Sequence, residues 1–249
     1  MRVFWATDQG APERRNEDFV ASAPGAAVVL DGCGLPLGTD LGCVHGTAWY
    51  ARSLGTRLLA RLVDAPDGVP EADPPVGAVT EPRRASDRPL VRRLRGAIAD
   101  VAASHARTCD LRHPATPAAT VLALRVRGDL VDYLVLADST LLLDGPGGLS
   151  EITGGRNWAN SDPDVAETAL TGTVPRRDLR GALLLTDGAT RLVDTFGRTD
   201  WPGLARLAET EGPAAVIART REVERTDPHA TRWPRSKPHD DATLALCAF

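Results

Sequence analysis

At 249 residues with 43% hydrophobic content, the chain is long enough for one large domain or two small ones and carries the material for a substantial core. Acids outnumber bases, 33 to 29, for a net charge of −4, which argues against a nucleic-acid-binding surface, where a basic stripe is expected. No apolar run is long enough for a transmembrane helix, and Met1–Asp8 turns polar too early for a secretory signal; no membrane partner, no nucleic-acid partner and a cytoplasmic monomer are therefore expected. Cys33, Cys43, Cys109 and Cys247 form no Cys-x-x-Cys pair, so zinc is not expected and reduced thiols are.

In chain order, Arg2–Thr7 reads as a strand, Asp8–Arg15 as a polar loop, and Glu17–Ser22 and Ala26–Leu30 as strands about the Pro24-Gly25 turn. These three strands are expected to lie side by side, antiparallel. After the glycine-rich loop Gly32–Gly42, Val44–Val63 is a helix with Ala48, Leu54, Leu58, Leu59 and Leu62 near helical spacing. Asp64–Pro89 is dense in Pro, Gly, Asp and Glu and reads as a long exposed loop. Leu90–Thr108 is a second helix, with Val91, Leu94, Ile98, Val101 and Ala102 on one face. Ala119–Val126, Val131–Ala137 and Thr140–Leu143 follow as strands, the first two joined at Arg127-Gly128-Asp129.

Gly145–Val174 reads as an irregular, lid-like connection, followed by a strand that starts at Gly181 and ends in Asp187-Gly188, and by a turn over Ala189–Asp194. Trp201–Thr210 and Pro213–Glu224 read as helices, Thr226–Pro238 as a basic loop, and Ala242–Ala248 as the last strand. Strands, helices, strands, helices, strand is not a β-α-β alternation. It favours an α+β fold with mainly antiparallel sheets, taken as one domain over residues 1–249.

Two apolar runs end in Asp-Gly: Ala27–Leu30 before Asp31-Gly32, and Gly181–Thr186 before Asp187-Gly188. His239-Asp240-Asp241 leads into the last strand, and Asn16-Glu17-Asp18 precedes Phe19-Val20. Acidic points at four strand ends imply one carboxylate cluster. Oxygen-only ligands suit Mg²⁺ or Mn²⁺, and two such ions sharing a carboxylate activate water for hydrolysis of a phosphate ester. Arg14 and Arg15, or Arg235 and Lys237, are the cations available to phosphoryl oxygens. His239 is open between a ligand or proton donor and a packed neighbour, and Asp138 reads as a turn-holding residue. His45, His105, His113 and His229 show no local pattern.

This order of motifs resembles the metal-dependent Ser/Thr protein phosphatases of the PPM, or phosphatase 2C, type. Asn16-Glu17-Asp18, Val29-Leu30-Asp31-Gly32, Leu136-Ala137-Asp138-Ser139, Leu184–Gly188 and Asp240-Asp241-Ala242-Thr243 are similar to that family's successive elements. The resemblance implies a four-layer α-β-β-α sandwich whose two sheets are flanked by helix pairs. It implies two Mn²⁺ or Mg²⁺ ions bridged by Asp31, with Asp187, Asp240 and the Gly32 carbonyl as ligands, Glu17 and Asp18 placing waters, and Arg14 holding the phosphate. Asp110 is the candidate for a third ion. The substrate implied is a phosphoserine or phosphothreonine protein.

The chain departs from the pattern in places. Glu13 stands where the family places its arginine, Gly32-Cys33-Gly34 replaces Gly-Gly, and Ala118-Ala119-Thr120 replaces Gly-Thr-Thr. The moved arginine and altered loop would suit a silent module docking a phosphoprotein or kinase, and a lid-like connection shorter than the family's would suit a hydrolase of small phosphate esters.

Overall fold

The computed structural model describes residues 1–64 and 88–249. All but the ends of the loop expected over Asp64–Pro89 lies outside the described residues. Asp64 caps the first helix and Pro89 opens the second.

Among the described residues the strands form two five-stranded sheets, and every pairing is antiparallel. One sheet holds β2 (Phe19–Ala23), β3 (Ala26–Leu30), β4 (Val121–Arg127), β5 (Leu130–Leu136) and β8 (Leu170–Pro175), in that spatial order. The other runs β1 (Arg2–Asp8), β10 (Ala242–Ala248), β9 (Gly181–Leu185), β6 (Thr140–Gly145), β7 (Gly148–Thr153). Helices α1 (Thr47–Val63) and α2 (Pro89–His105) cover the outer face of the first sheet. Helices α3 (Asp187–Asp194), α4 (Trp201–Glu211) and α5 (Pro213–Arg225) cover the outer face of the second. The molecule is an α+β, α-β-β-α sandwich, as its sequence suggested, with three helices rather than a pair on one side.

The apolar strand runs follow from this layering. Val28 and Leu30 of β3 pack under α1 and α2, while Ala27 and Val29 face the opposite sheet. In β9, Leu183 and Leu185 face the second helical layer, and Ala182 and Leu184 face the first sheet. A strand covered on both faces has no polar side to show, so its period of two is hidden in the sequence. Leu122 and Leu124 are fully buried between the sheets; truncating either to alanine would cost roughly 2–5 kcal/mol.

The structure corrects four sequence expectations. First, β1 pairs with β10 in the second sheet, not with β2. Second, the stretch read as an irregular lid contains β7 and β8, each at the edge of its sheet. In β7 only Leu149 and Ile152 turn inward, which leaves too little apolar signal to mark a strand. Third, the turn expected over Ala189–Asp194 is part of α3, which begins at Asp187 itself. Fourth, α2 ends at His105, three residues before the expected end, and Thr108 and Cys109 turn back to bond the His105 carbonyl.

Candidate active site

The sheet registers carry four acidic segments to one edge of the sandwich. The end of β9 lies beside the start of β10, with Leu185 opposite Leu244. The start of β2 lies beside the end of β3, with Phe19 opposite Leu30. Asp187 and Asp240 thus emerge from one sheet, Asp18 and Asp31 from the other. The sheets are stitched together there. The Thr186 hydroxyl accepts from the Thr243 amide at 2.9 Å and donates to Asp18 Oδ2 at 2.8 Å. The Asp241 carboxylate accepts from the amides of Gly10 and Glu17 at 2.8 and 2.7 Å. Asp31 is fixed by its backbone: its amide donates to Thr120 Oγ1 at 3.0 Å, its carbonyl accepts from the Thr120 amide at 2.8 Å, and the Thr120 hydroxyl is 2.6 Å from that of Ser139.

The glycines after Asp31 and Asp187 are required by close approach. A Cβ on Gly32 would lie 2.7 Å from both the Glu17 carbonyl and Thr47 Cγ2, and one on Gly188 would lie 2.0 Å from the Asp241 carbonyl. Asp187 opens α3, where the aligned peptide dipoles favour a negative charge.

The carboxylates are poorly compensated. Among the described residues no donor hydrogen-bonds the carboxylate of Asp31 or Asp187, and Asp18 Oδ1 is buried without a partner. Burial, reinforced by Asp18, Asp187 and Asp240, pushes the Asp31 carboxyl well above its usual range. Burial raises Asp18 to about 8 against the Thr243 and Thr186 hydroxyls, and burial with the neighbouring Asp240 raises Asp187 to about 6. Glu17 is raised by burial, with Arg14 and Lys237 opposing. Asp240 is buried, Asp18 and Asp31 are half-buried and Asp187 is exposed at the mouth of the cluster; carboxylates crowded together in this way repel one another unless a cation joins them. The all-oxygen donor set with an orphaned buried oxygen fits a hard divalent cation. Asp240 differs: Oδ1 accepts from Lys237 Nζ at 2.6 Å and Oδ2 from the Arg191 guanidinium at 3.1 Å.

Of the residues singled out in the sequence, Glu17, Asp18, Asp31, Gly32, Asp187 and Asp240 are brought together. Arg14 lies 3.7 Å from Glu17 and donates to the Leu35 carbonyl. With Glu17, Lys237, His239 and Asp240 it lines a cleft of about 180 Å³. A second cleft of about 240 Å³ continues past Arg14 and Arg15 to Leu35 and Pro36.

Two residues lie elsewhere. The side chain of Arg235 is buried with its guanidinium on Asp227, 2.9 Å from Oδ2 and 2.7 Å from the carbonyl, so its donors are not turned toward phosphate. Asp110 is exposed and caps the Arg112 amide at 2.9 Å, and it is not among the charges bearing on the cluster. Asp138, read as a turn residue, does bear on the cluster, raising both Asp187 and the thiol of Cys33. The turn that presents it passes through Ala137 at a φ of 68°, which nothing in the sequence marks.

The sequence reading missed a buried ion network beneath Asp240. Glu224, fully buried, accepts from Arg191 at 2.7 Å and Arg221 at 2.8 Å and lies 2.8 Å from His239 Nδ1. Arg221 also donates to the Asp240 carbonyl at 2.7 Å. The only available signal was the spacing of Asp187 and Arg191, and of Arg221 and Glu224, on single helix faces.

No family model and no curated protein matches the chain. Solved structures do. The serine/threonine phosphatase PstP/Ppp of Mycobacterium tuberculosis matches at a TM-score of 0.59 and 17% identity, over 100% of this chain and 98% of that one. The catalytic domain of PstP has also been solved with two manganese ions. Stp1 of Staphylococcus aureus matches at a TM-score of 0.60 and 14% identity, over 99% and 94%. MsPP of Mycobacterium smegmatis, a PPM Ser-Thr phosphatase in complex with cacodylate, matches at 0.59 and 16%, over 100% and 98%. The fold of this chain is therefore that of the bacterial PPM-type Ser/Thr phosphatases.

Proposed function

We propose that the chain hydrolyses phosphate monoesters in a reaction dependent on Mn²⁺ or Mg²⁺, and that its substrates are phosphoserine and phosphothreonine residues of proteins. One observation carries the reading: the carboxylates of Asp18, Asp31, Asp187 and Asp240 bear on one another at one edge of the sandwich, and among the described residues no donor bonds that of Asp31 or reaches the buried Oδ1 of Asp18. Asp31, Asp187, Asp240 and the Gly32 carbonyl would hold the ions, with Glu17, Asp18 and Asp138 as outer carboxylates. Bound there, the ions supply Lewis acidity and a water nucleophile active at neutral pH. Arg14 and Lys237 border the cleft and donate to the phosphoryl oxygens, where a guanidinium or ammonium offsets charge gathering on phosphorus. His239, held 2.8 Å from Glu224 through Nδ1, lines the same cleft and is the group assigned to give a proton to the departing seryl or threonyl oxygen. The protein-substrate part of the reading is supported by the activities named for the structural neighbours.

Phosphate release from phosphoserine and phosphothreonine peptides, with Mn²⁺ and after chelation, tests the proposal. Metal-dependent release supports it. Hydrolysis of small esters alone would move the substrate assignment to small molecules.

Lys237 favours a second reading. Its ammonium already neutralises Asp240, a role a metal ion would otherwise fill. In that reading the chain binds phosphorylated protein without hydrolysing it, and phosphopeptide binding without turnover at any Mn²⁺ concentration would establish it.

A further inference from the structure

A second cluster lies on the far side of the loop that leaves Asp31. Cys43 and His45 stand just before α1, His105 is the last residue of α2, and Cys109 follows one turn later. Their ligand atoms all lie within 4.8 Å of one another. Cys43 Sγ is 3.2 Å from Cys109 Sγ, 3.7 Å from His45 Nδ1 and 3.6 Å from His105 Nδ1, and Cys109 Sγ is 3.3 Å from His45 Nδ1. We propose that Cys43, His45, His105 and Cys109 form a tetrahedral zinc site, separate from the carboxylate cluster.

The distances carry the assignment. With zinc bonds of about 2.3 Å to sulfur and about 2.0–2.1 Å to nitrogen, tetrahedral edges are about 3.8 Å between sulfurs and about 3.6 Å between sulfur and nitrogen. The sulfur–nitrogen separations of 3.3, 3.6 and 3.7 Å lie at or near their edge, and the sulfurs, 3.2 Å apart, would move apart by about 0.6 Å to reach theirs around an ion. The sulfur–sulfur separation is far longer than the roughly 2.05 Å of a disulfide, and all four cysteines of the chain are free thiols. Two thiolates with two imidazoles select zinc over the harder Mg²⁺ or Mn²⁺ of a carboxylate site. No local pattern marks the site, because the ligands come as Cys-x-His and His-x-x-x-Cys pairs on two segments far apart in the chain, and neither is a Cys-x-x-Cys.

The surroundings suit a structural ion. The Asp110 amide donates to the Gly42 carbonyl at 2.7 Å, locking the two ligand-bearing segments together. Trp49, one turn into α1, stacks on His45 at 4.2 Å and packs against His105 at 5.0 Å, shielding one side. His105 is buried, Cys43 and Cys109 are half-buried and His45 is exposed, which leaves a route for loading. A zinc here ties the start of α1 to the end of α2. It also anchors the far end of the loop whose Leu35, Pro36 and Leu37 wall the cleft beside Arg14.

The test is zinc content by elemental mass spectrometry on the full chain, purified under reducing conditions without chelator. A single zinc per chain is expected, lost in Cys109→Ser and in Cys43→Ser. Cobalt replacing the metal should give visible bands of tetrahedral Co²⁺ and a near-ultraviolet thiolate charge-transfer band. That band should persist in Asp31→Asn, because a carboxylate site cannot produce it. If the cysteine variants do not fold, alkylation of the native chain decides: Cys43 and Cys109 should resist iodoacetamide until a strong chelator is added. A folded chain with no bound zinc and no thiolate band, whose Cys43 and Cys109 alkylate freely or are joined as a disulfide, would overturn the proposal.

Discussion

Asp227 and Asp31 are the same residue in one chain, and the fold treats them oppositely. Asp227 is buried in the loop after α5. Its Oδ1 accepts from the Thr231 amide and hydroxyl and the Arg232 amide at 2.9, 3.1 and 3.2 Å. Its Oδ2 accepts from the Trp233 amide at 3.1 Å and the Arg235 guanidinium at 2.9 Å. Burial pushes the Asp227 carboxyl up, but the amides of Trp233 and Arg232 and the Arg235 guanidinium outweigh it and hold the group well below the usual carboxylate range. Asp31 meets burial and the charges of Asp18, Asp187 and Asp240, opposed only by Lys237 and with no hydrogen-bond donor among the described residues, and it rises. A carboxylate given five donors stabilises the loop that surrounds it. A carboxylate given none, beside others in the same condition, weakens the metal-free fold and gains its partner from solution.

Substitution by asparagine should separate the two with opposite signs. Asp31→Asn is expected to lower Mn²⁺-dependent phosphatase turnover by at least about 10²–10³-fold, while the melting temperature of the chelated protein stays level or rises, because asparagine has neither a charge to bury nor a proton to take up on folding. Asp227→Asn is expected to retain metal-dependent turnover in its folded fraction and to lower the melting temperature by several degrees. Calorimetry and p-nitrophenyl phosphate assays on both variants read the contrast. Equal melting shifts of the same sign would break it.

The same contrast sets the pH dependence of the chelated protein. Asp18, at about 8, and Asp187, at about 6, keep protons in the folded state that the unfolded chain has released. Their contribution is complete below the ordinary carboxylate range and is lost as pH rises through about 6 to about 8. Asp227, held low, works in reverse: its contribution is present above the ordinary carboxylate range and is lost on acidification. Thermal melts across pH should therefore show the chelated protein losing stability toward mildly alkaline pH, and Mn²⁺ should remove that loss. A melting temperature flat from acid to alkaline pH in the chelated chain would contradict the assignment of the cluster as uncompensated.

Smaller effects are expected from the basic residues of the cleft. Lys237→Met releases Asp240 from its ion pair and should tighten Mn²⁺ binding about tenfold while raising KM, as read by calorimetric titration beside steady-state kinetics. Arg14→Ala should raise KM about fivefold with a lesser effect on kcat, the signature of lost phosphate binding. Unchanged Mn²⁺ affinity in Lys237→Met would mean that the ammonium and the ions do not compete for Asp240.

The central fold was legible wherever burial on both faces made a strand uniformly apolar. β3 and β10 have the bounds their apolar runs suggest, and β9 ends where Thr186-Asp187 begins. The gathering of Asp18, Asp31, Asp187 and Asp240 was legible for the same reason, since each sits where such a run starts or stops. The edge strands β7 and β8 were not: β7 turns only Leu149 and Ile152 inward and no residue of β8 is fully buried, so neither carries a continuous apolar run. The pairing of β1 with β10 joins the two ends of the chain, which no local signal reports. Side-chain direction was equally hidden. Lys237 and Arg235 are two residues apart, yet one reaches Asp240 and the other Asp227. The Cys43–His45 and His105–Cys109 pairs meet only because α1 and α2 pack side by side.

The most direct test of the account is hydrolysis of p-nitrophenyl phosphate by the full chain across a range of Mn²⁺ concentrations, with Asp31→Asn measured in parallel. The account predicts activity that is absent after chelation, rises to saturation with Mn²⁺ and is lost in the variant. Turnover that persists without metal or survives Asp31→Asn, or a folded native chain inactive at every Mn²⁺ concentration, would contradict it.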